Sequence, residues 1–194
     1  MTRAMDYYVI ERENDDRYPL LAWDDERGVK VARGEPVPDT TTPVRLRLGA
    51  PIPAHPVMVD FHVLPEPVVS AKIASVLREL ALPEVQLVPA YIRVKGTAHE
   101  RWILNVMRRI QALDLAQSTY QRDASGDLSM LERIVLDAAA LETLPVEERL
   151  VFRPKEYGAL WLLERSVKEA IEATQPVGLR FFHVRDWDDT VAFR

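Results

Sequence analysis

Cysteine is missing altogether, which excludes disulfides, thiolate nucleophiles and zinc–thiolate sites and suits a reducing compartment. Glycine is scarce. Its seven residues are scattered, so neither a Walker A loop nor a G-x-G-x-x-G turn is present. Long apolar runs are lacking too. The stretch Gly158–Leu163 is among the longest and falls far short of the roughly 20 residues of a membrane helix. The start, MTRAMDYYVIERENDD, has no apolar core and turns acidic at once, so no signal peptide is expected and the expected location is the cytoplasm. Neither charge sign dominates. Thirty acidic residues against 25 basic ones give a net charge of -5, which argues against a nucleic-acid partner.

What is present is a core. At 194 residues and 47% hydrophobic content, the chain can bury one and is not of disordered composition. It reads as a single domain, 1–194. Residues 1–66 supply N-terminal strands and proline-rich wrapping, and 67–194 form a body of sheet and helix. Eight of the 14 prolines fall between Pro36 and Pro67, so no long helix crosses that region. Within it, Val44-Arg45-Leu46-Arg47-Leu48 alternates apolar and basic residues, as a strand with one buried face does.

The rest of the chain alternates between the two periodicities. Tyr7–Ile10 and Leu20–Trp23 read as short strands, and Val85–Val94 with Arg101–Val106 as a hairpin turning at Gly96. Ser70–Leu80 is a helix, with Val69, Ile73, Val76, Leu77 and Leu80 on one face and Ser70 as its cap. Leu128–Leu136 is expected as a strand despite a capping-box pattern at Ser129, and Ala138–Leu144 as a short helix. Ser166-Val-Lys-Glu169 is a capping box that starts a second amphipathic helix, and Gly178 opens the strand Leu179–Val184. The two helical units match. Ile73, Val76, Leu77, Val85 and Leu87 fall opposite Val167, Ala170, Ile171, Leu179 and Phe181, since 167−73 and 181−87 both equal 94. The expected fold class is α+β: a mainly antiparallel sheet with helices packed on one side, in one or two lobes.

Residue chemistry singles out no active site, cofactor site or metal site. None of the four histidines has the helical spacing of a zinc motif, and His99 is expected in the hairpin turn. Asp60 and His62 would share a strand face and could seat one edge of a metal site or an acid–base pair, but no third group is in view and a surface or structural hydrogen bond is the expected role. Ser118 and Ser125 have no recognisable base, and no nucleophile elbow occurs. The acidic groups Asp24-Asp25-Glu26, beside Trp23, and Asp186, Asp188, Asp189, around Trp187, lack calcium-loop spacing. A solvated acidic face is the first reading of them, and a partner surface the remaining one. As a partner surface, the tryptophans would anchor and the carboxylates would steer a basic protein.

Several segments, taken in order, resemble a bacterial immunity-protein family found beside polymorphic toxins, the eleventh of the numbered immunity families. They are Tyr7-Tyr8-Val9-Ile10, Tyr18-Pro19, Val68-Val69-Ser70, Val85 to Pro89, Trp102 to Val106 and Ala112-Leu113-Asp114 with Ser118. Leu128 to Asp137, Val151-Phe152-Arg153, the helix at Ser166–Ala173 and Gly178 to Phe181 follow. The proline-rich segment and the tail after His183 depart from the pattern. The resemblance implies a non-enzymatic protein that binds and neutralises a cognate toxin encoded by a neighbouring gene, with no catalytic residues to transfer. Two other readings remain beside it: an adaptor that loads an effector onto a secretion machine, and a small hydrolase using Asp60 and His62.

Overall fold

The longest pairing in the protein joins Val85–Val94 to Thr97–Val106 in unbroken antiparallel register. It turns on Lys95 and Gly96, both in the left-handed region, the geometry of a tight two-residue hairpin turn. The second strand therefore starts at Thr97. His99 lies within it, half-buried opposite Ile92, and not in the turn.

The structure, a computed structural model, describes residues 5–24, 31, 34–38 and 42–191. Thirteen strands and three α-helices are present among them. The first strands are β1 (Tyr7–Arg12), β2 (Leu21–Trp23), β3 (Val44–Leu48), β4 (Phe61–His62) and β5 (Val68–Val69). Helix α1 (Ala71–Glu79) leads to β6 (Val85–Val94) and β7 (Thr97–Val106), then β8 (Arg109–Ile110), β9 (Thr119–Arg122) and β10 (Leu128–Arg133). After α2 (Ala138–Glu142) come β11 (Val151–Pro154), β12 (Leu162–Glu164), α3 (Arg165–Glu172) and β13 (Leu179–His183). One sheet has the order β2-β3-β6-β7-β5-β4 and another β13-β1-β12-β11-β8, while β9 and β10 form a separate hairpin. Pairing is antiparallel except for β3 with β6 and β8 with β11. The class is α+β and dominated by sheet.

In β3, Val44 and Leu46 are buried and Arg45 and Arg47 exposed, as the alternation requires. The expected strand Leu128–Leu136 stops at Arg133, and Leu136 makes only an isolated bridge to Leu113. Helix α1 keeps the expected N-cap residue, whereas α3 is capped two positions before the expected Ser166. Ser70 sits at the N-cap of α1, but its side chain makes no capping bond. Helix α3 starts at Arg165 with Glu164 as its cap, so Ser166 is already helical. The longer Glu164 side chain reaches back to accept from the Ser166 N–H at 2.7 Å. Replacing Glu164 by alanine should cost about 1–2 kcal/mol, read from the urea midpoint, because it removes a buried capping acceptor.

The two matched units are one structural motif used twice. N-caps Ser70 and Glu164, left-handed residues Ala81 and Gln175, and left-handed residues Glu84 and Gly178 are all displaced by the same 94 positions. Each unit places its two strands on either side of an antiparallel central strand. Val69 lies opposite Trp102 and Leu87 opposite Leu104 on β7. In the second unit Leu163 lies opposite Tyr8 and Phe181 opposite Ile10 on β1. A fourth strand borders each, β4 on β5 and β11 on β12. The chain order differs, because β7 follows its unit whereas β1 precedes its own by most of the chain. Helices α1 and α3 touch, and Ile73, Leu77, Val167 and Ile171 share one apolar cluster with Phe61 and Leu104 of one sheet and Ile10 and Leu163 of the other.

Candidate functional site

Asp60 and His62 flank the buried Phe61, and both are themselves buried. One Asp60 carboxylate oxygen accepts from the Val177 N–H at 2.8 Å and lies 3.1 Å from the Lys72 ammonium. Burial raises its carboxyl, but the Ser70 hydroxyl, the Val177 N–H and Lys72 more than offset this, and the group sits below its ordinary value. Its backbone is engaged as well, donating to Val177 O and accepting from Ser70 N. Asp60 thus fastens the start of α1 to the loop before β13.

His62 Nδ1 lies 3.1 Å from the Pro19 carbonyl, so this nitrogen carries the proton. Nε2 is buried without a hydrogen-bonding partner. Burial lowers the pKa to about 4, further helped by the charges of Arg101 and Arg12 and opposed by the Pro19 carbonyl and Asp60. The crease beside it, lined by Pro19, Leu20, Val59 and Leu64, has no room for a water-sized molecule. A hydrolytic pair needs space for substrate and water, and this site has neither. The pair the sequence suggested serves as two structural pins. Among the described residues no group of three or more His, Cys, Asp or Glu side chains could hold a metal ion.

The described acids follow strands of different sheets, Asp24 after β2 and Asp186, Asp188 and Asp189 after β13. Trp23 lies half-buried on β2, the edge of one sheet, against a cluster containing Leu21, Val44 and Leu46. Asp24 is exposed beside it, and its N–H donates to the Arg45 carbonyl. Asp25 and Glu26 lie outside the described residues. Trp187 is 7% exposed and packs in the cluster of Tyr7, Val9 and Phe152. Its indole N–H donates to Glu11 at 2.9 Å, and burial raises the Glu11 carboxyl. Trp187 therefore anchors the C-terminal segment inward. That fixes the path of Asp186, exposed, and of Asp188 and Asp189, half-exposed, on either side of it. Asp188 is further ordered by accepting from the Thr190 N–H at 2.8 Å.

A feature with no counterpart in the sequence reading is a depression of about 520 Å³ beside β8. Arg108, Arg109, Gln111 and Lys155 line it together with Ile110 and Leu144. Strand β8 is the outer strand of its sheet and pairs in parallel with β11, setting Arg109 opposite Arg153. The only hint in the sequence is the Arg108-Arg109 doublet. Lys155 joins it solely through that parallel pairing.

Against this geometry, a sequence model of the immunity protein family (Imm11) matches residues 5–186, nearly the whole chain. The chain belongs to this immunity family. The match includes both motif units, both central strands and the basic depression, and it ends just before Trp187. No curated protein sequence matches the chain. Among the described residues of this Imm11 member, no helix is long and apolar enough to cross a membrane.

Proposed function

We propose that this Imm11 member neutralises a cognate toxin domain, encoded by a neighbouring gene, by binding it one-to-one in the cytoplasm and acting as a stopper and not a catalyst. The observation that carries this is the family match over residues 5–186. The test is expression of the adjacent gene's C-terminal domain in a test bacterium, with and without this protein, following growth. Toxicity relieved only by this chain is the expected result. A neighbour that is harmless, or that kills regardless, would overturn the reading and favour an adaptor role.

The acidic residues Asp24, Asp25, Glu26, Asp186, Asp188 and Asp189, with Trp23 beside them, are the proposed steering surface for a basic toxin. Trp187 contributes by holding the C-terminal acids in place. Reversing Asp24, Asp25, Asp188 and Asp189 to lysine should slow association roughly tenfold at low salt and flatten its salt dependence. Stopped-flow mixing reads this directly, and an unchanged on-rate would remove the acidic surface from the mechanism.

A further inference from the structure

We propose that the depression beside β8 is an anchor site for a carboxylate-bearing, partly apolar segment of the toxin. This rests on the toxin-binding reading above and adds to it a second surface, of opposite charge to the steering acids.

Within a chain of net charge -5, the lining of this depression is basic, and among the described residues it contains no carboxylate. Its volume of about 520 Å³ falls in the ~300–1,000 Å³ range of binding clefts. The two arginines are set in place before any partner arrives. Arg108 pairs with Glu84 at 3.1 Å and with Glu148, whose carbonyl also accepts from Arg108 Nε at 3.1 Å. Arg109 lies against two glycines. A Cβ on Gly34 would come within 3.2 Å of its Nε, and one on Gly158 within 3.4 Å of a terminal nitrogen. Larger residues at either position would displace the guanidinium. The Arg109 charge also reaches Arg153 behind it, where burial first and Arg109 second lower the pKa to about 10, against a smaller opposing effect of Glu66. Arg109 and Lys155 are exposed, and buried Ile110 and half-buried Leu144 supply an apolar wall.

This chemistry selects the occupant. Nucleic acid is bound by rows of cations that track phosphates, whereas here the charge of Arg108 is answered by two glutamates and an apolar wall faces the rest. A protein segment carrying a carboxylate next to an apolar side chain matches both features. A pre-placed arginine forms directed bonds to such a carboxylate at little entropic cost.

The experiment measures affinity of the adjacent gene's toxin domain for wild type, for Arg109→Glu with Lys155→Glu, and for a charge-matched control. That control, Arg93→Glu with Lys95→Glu, lies at the exposed tip of the β6–β7 hairpin. The pocket reversal should weaken binding roughly 30-fold or more, and the tip reversal less than about threefold. Neutral Arg109→Gln with Lys155→Gln relieves the like charge on Arg153 and should weaken binding about tenfold, with urea unfolding used to check that both pocket variants fold. If neither pocket variant weakens binding more than the tip variant, the anchor site is wrong while toxin binding stands. If wild type itself fails to bind, the functional reading falls and the anchor site falls with it.

Discussion

Replacing Gly178 with alanine is expected to remove about 3–4 kcal/mol of folding stability, through backbone strain and overpacking together. Gly178 sits at φ +84°, where a side chain is already strained. A Cβ there would lie 2.4 Å from Val59 Cβ and 2.5 Å from its Cγ1. These atoms are near the Val59 backbone, so no rotamer change clears them. Nor can Val59 retreat, since it is 3% exposed and the next residue, Asp60, is bonded through N–H and carboxylate to Val177. Gly96 provides the comparison. It has φ +85°, but a Cβ added there would meet nothing within 4 Å, so Gly96→Ala should cost only about 1 kcal/mol. Urea unfolding of the two variants separates strain from collision. Equal losses would show that Val59 yields, and would discard the collision.

Acid should destabilise the protein through His62 by about 3 kcal/mol as pH falls from 6.5 to 4. The unfolded histidine takes up a proton near pH 6.5, but the folded one only near pH 4. Between those values the unfolded state binds more protons, so stability rises with pH there and is lost on acidification. Below pH 4 both states are protonated at this site and its contribution stops changing. His183, also lowered by burial, works in the same direction, so the informative quantity is the difference between wild type and His62→Gln. The wild-type stability curve should be steeper between pH 6.5 and 4 and converge toward the variant's slope outside that window. Parallel curves throughout would mean that His62 titrates normally in the folded protein.

Much of the architecture is legible in local pattern because its causes are local. The hairpin Val85–Val106 follows from its β-prone arms and the Lys95-Gly96 turn, and α1 and α3 follow from apolar residues at helical spacing. The 94-residue match between the units also lies in the residues themselves. Buried Ile73 and Leu77 correspond to buried Val167 and Ile171, and half-buried Val85 and Leu87 to half-buried Leu179 and Phe181. The capping details are less legible. Serine and glutamate both accept from a helix N-terminus, and which of them does so depends on the angle at which the preceding strand enters.

The candidate sites divide along the same line. Composition and motif spacing, which need only the order of residues, establish that thiolate chemistry, phosphate loops and helical zinc motifs have no residues to build on. Ordered family-like segments are enough to indicate the immunity family, because the pattern they follow is linear. Exposure is not linear. Trp187 faces inward because Glu11, 176 positions away, accepts its indole N–H. Asp60 and His62 hold backbone in a crease without space, because Val177 and Pro19 fold onto them. The basic depression exists only where β8 meets β11 in parallel and brings Lys155 beside Arg109. Periodicity states which residues share a face, but what packs against that face is set by contacts between segments far apart in the chain, and those contacts arise only when the whole core closes.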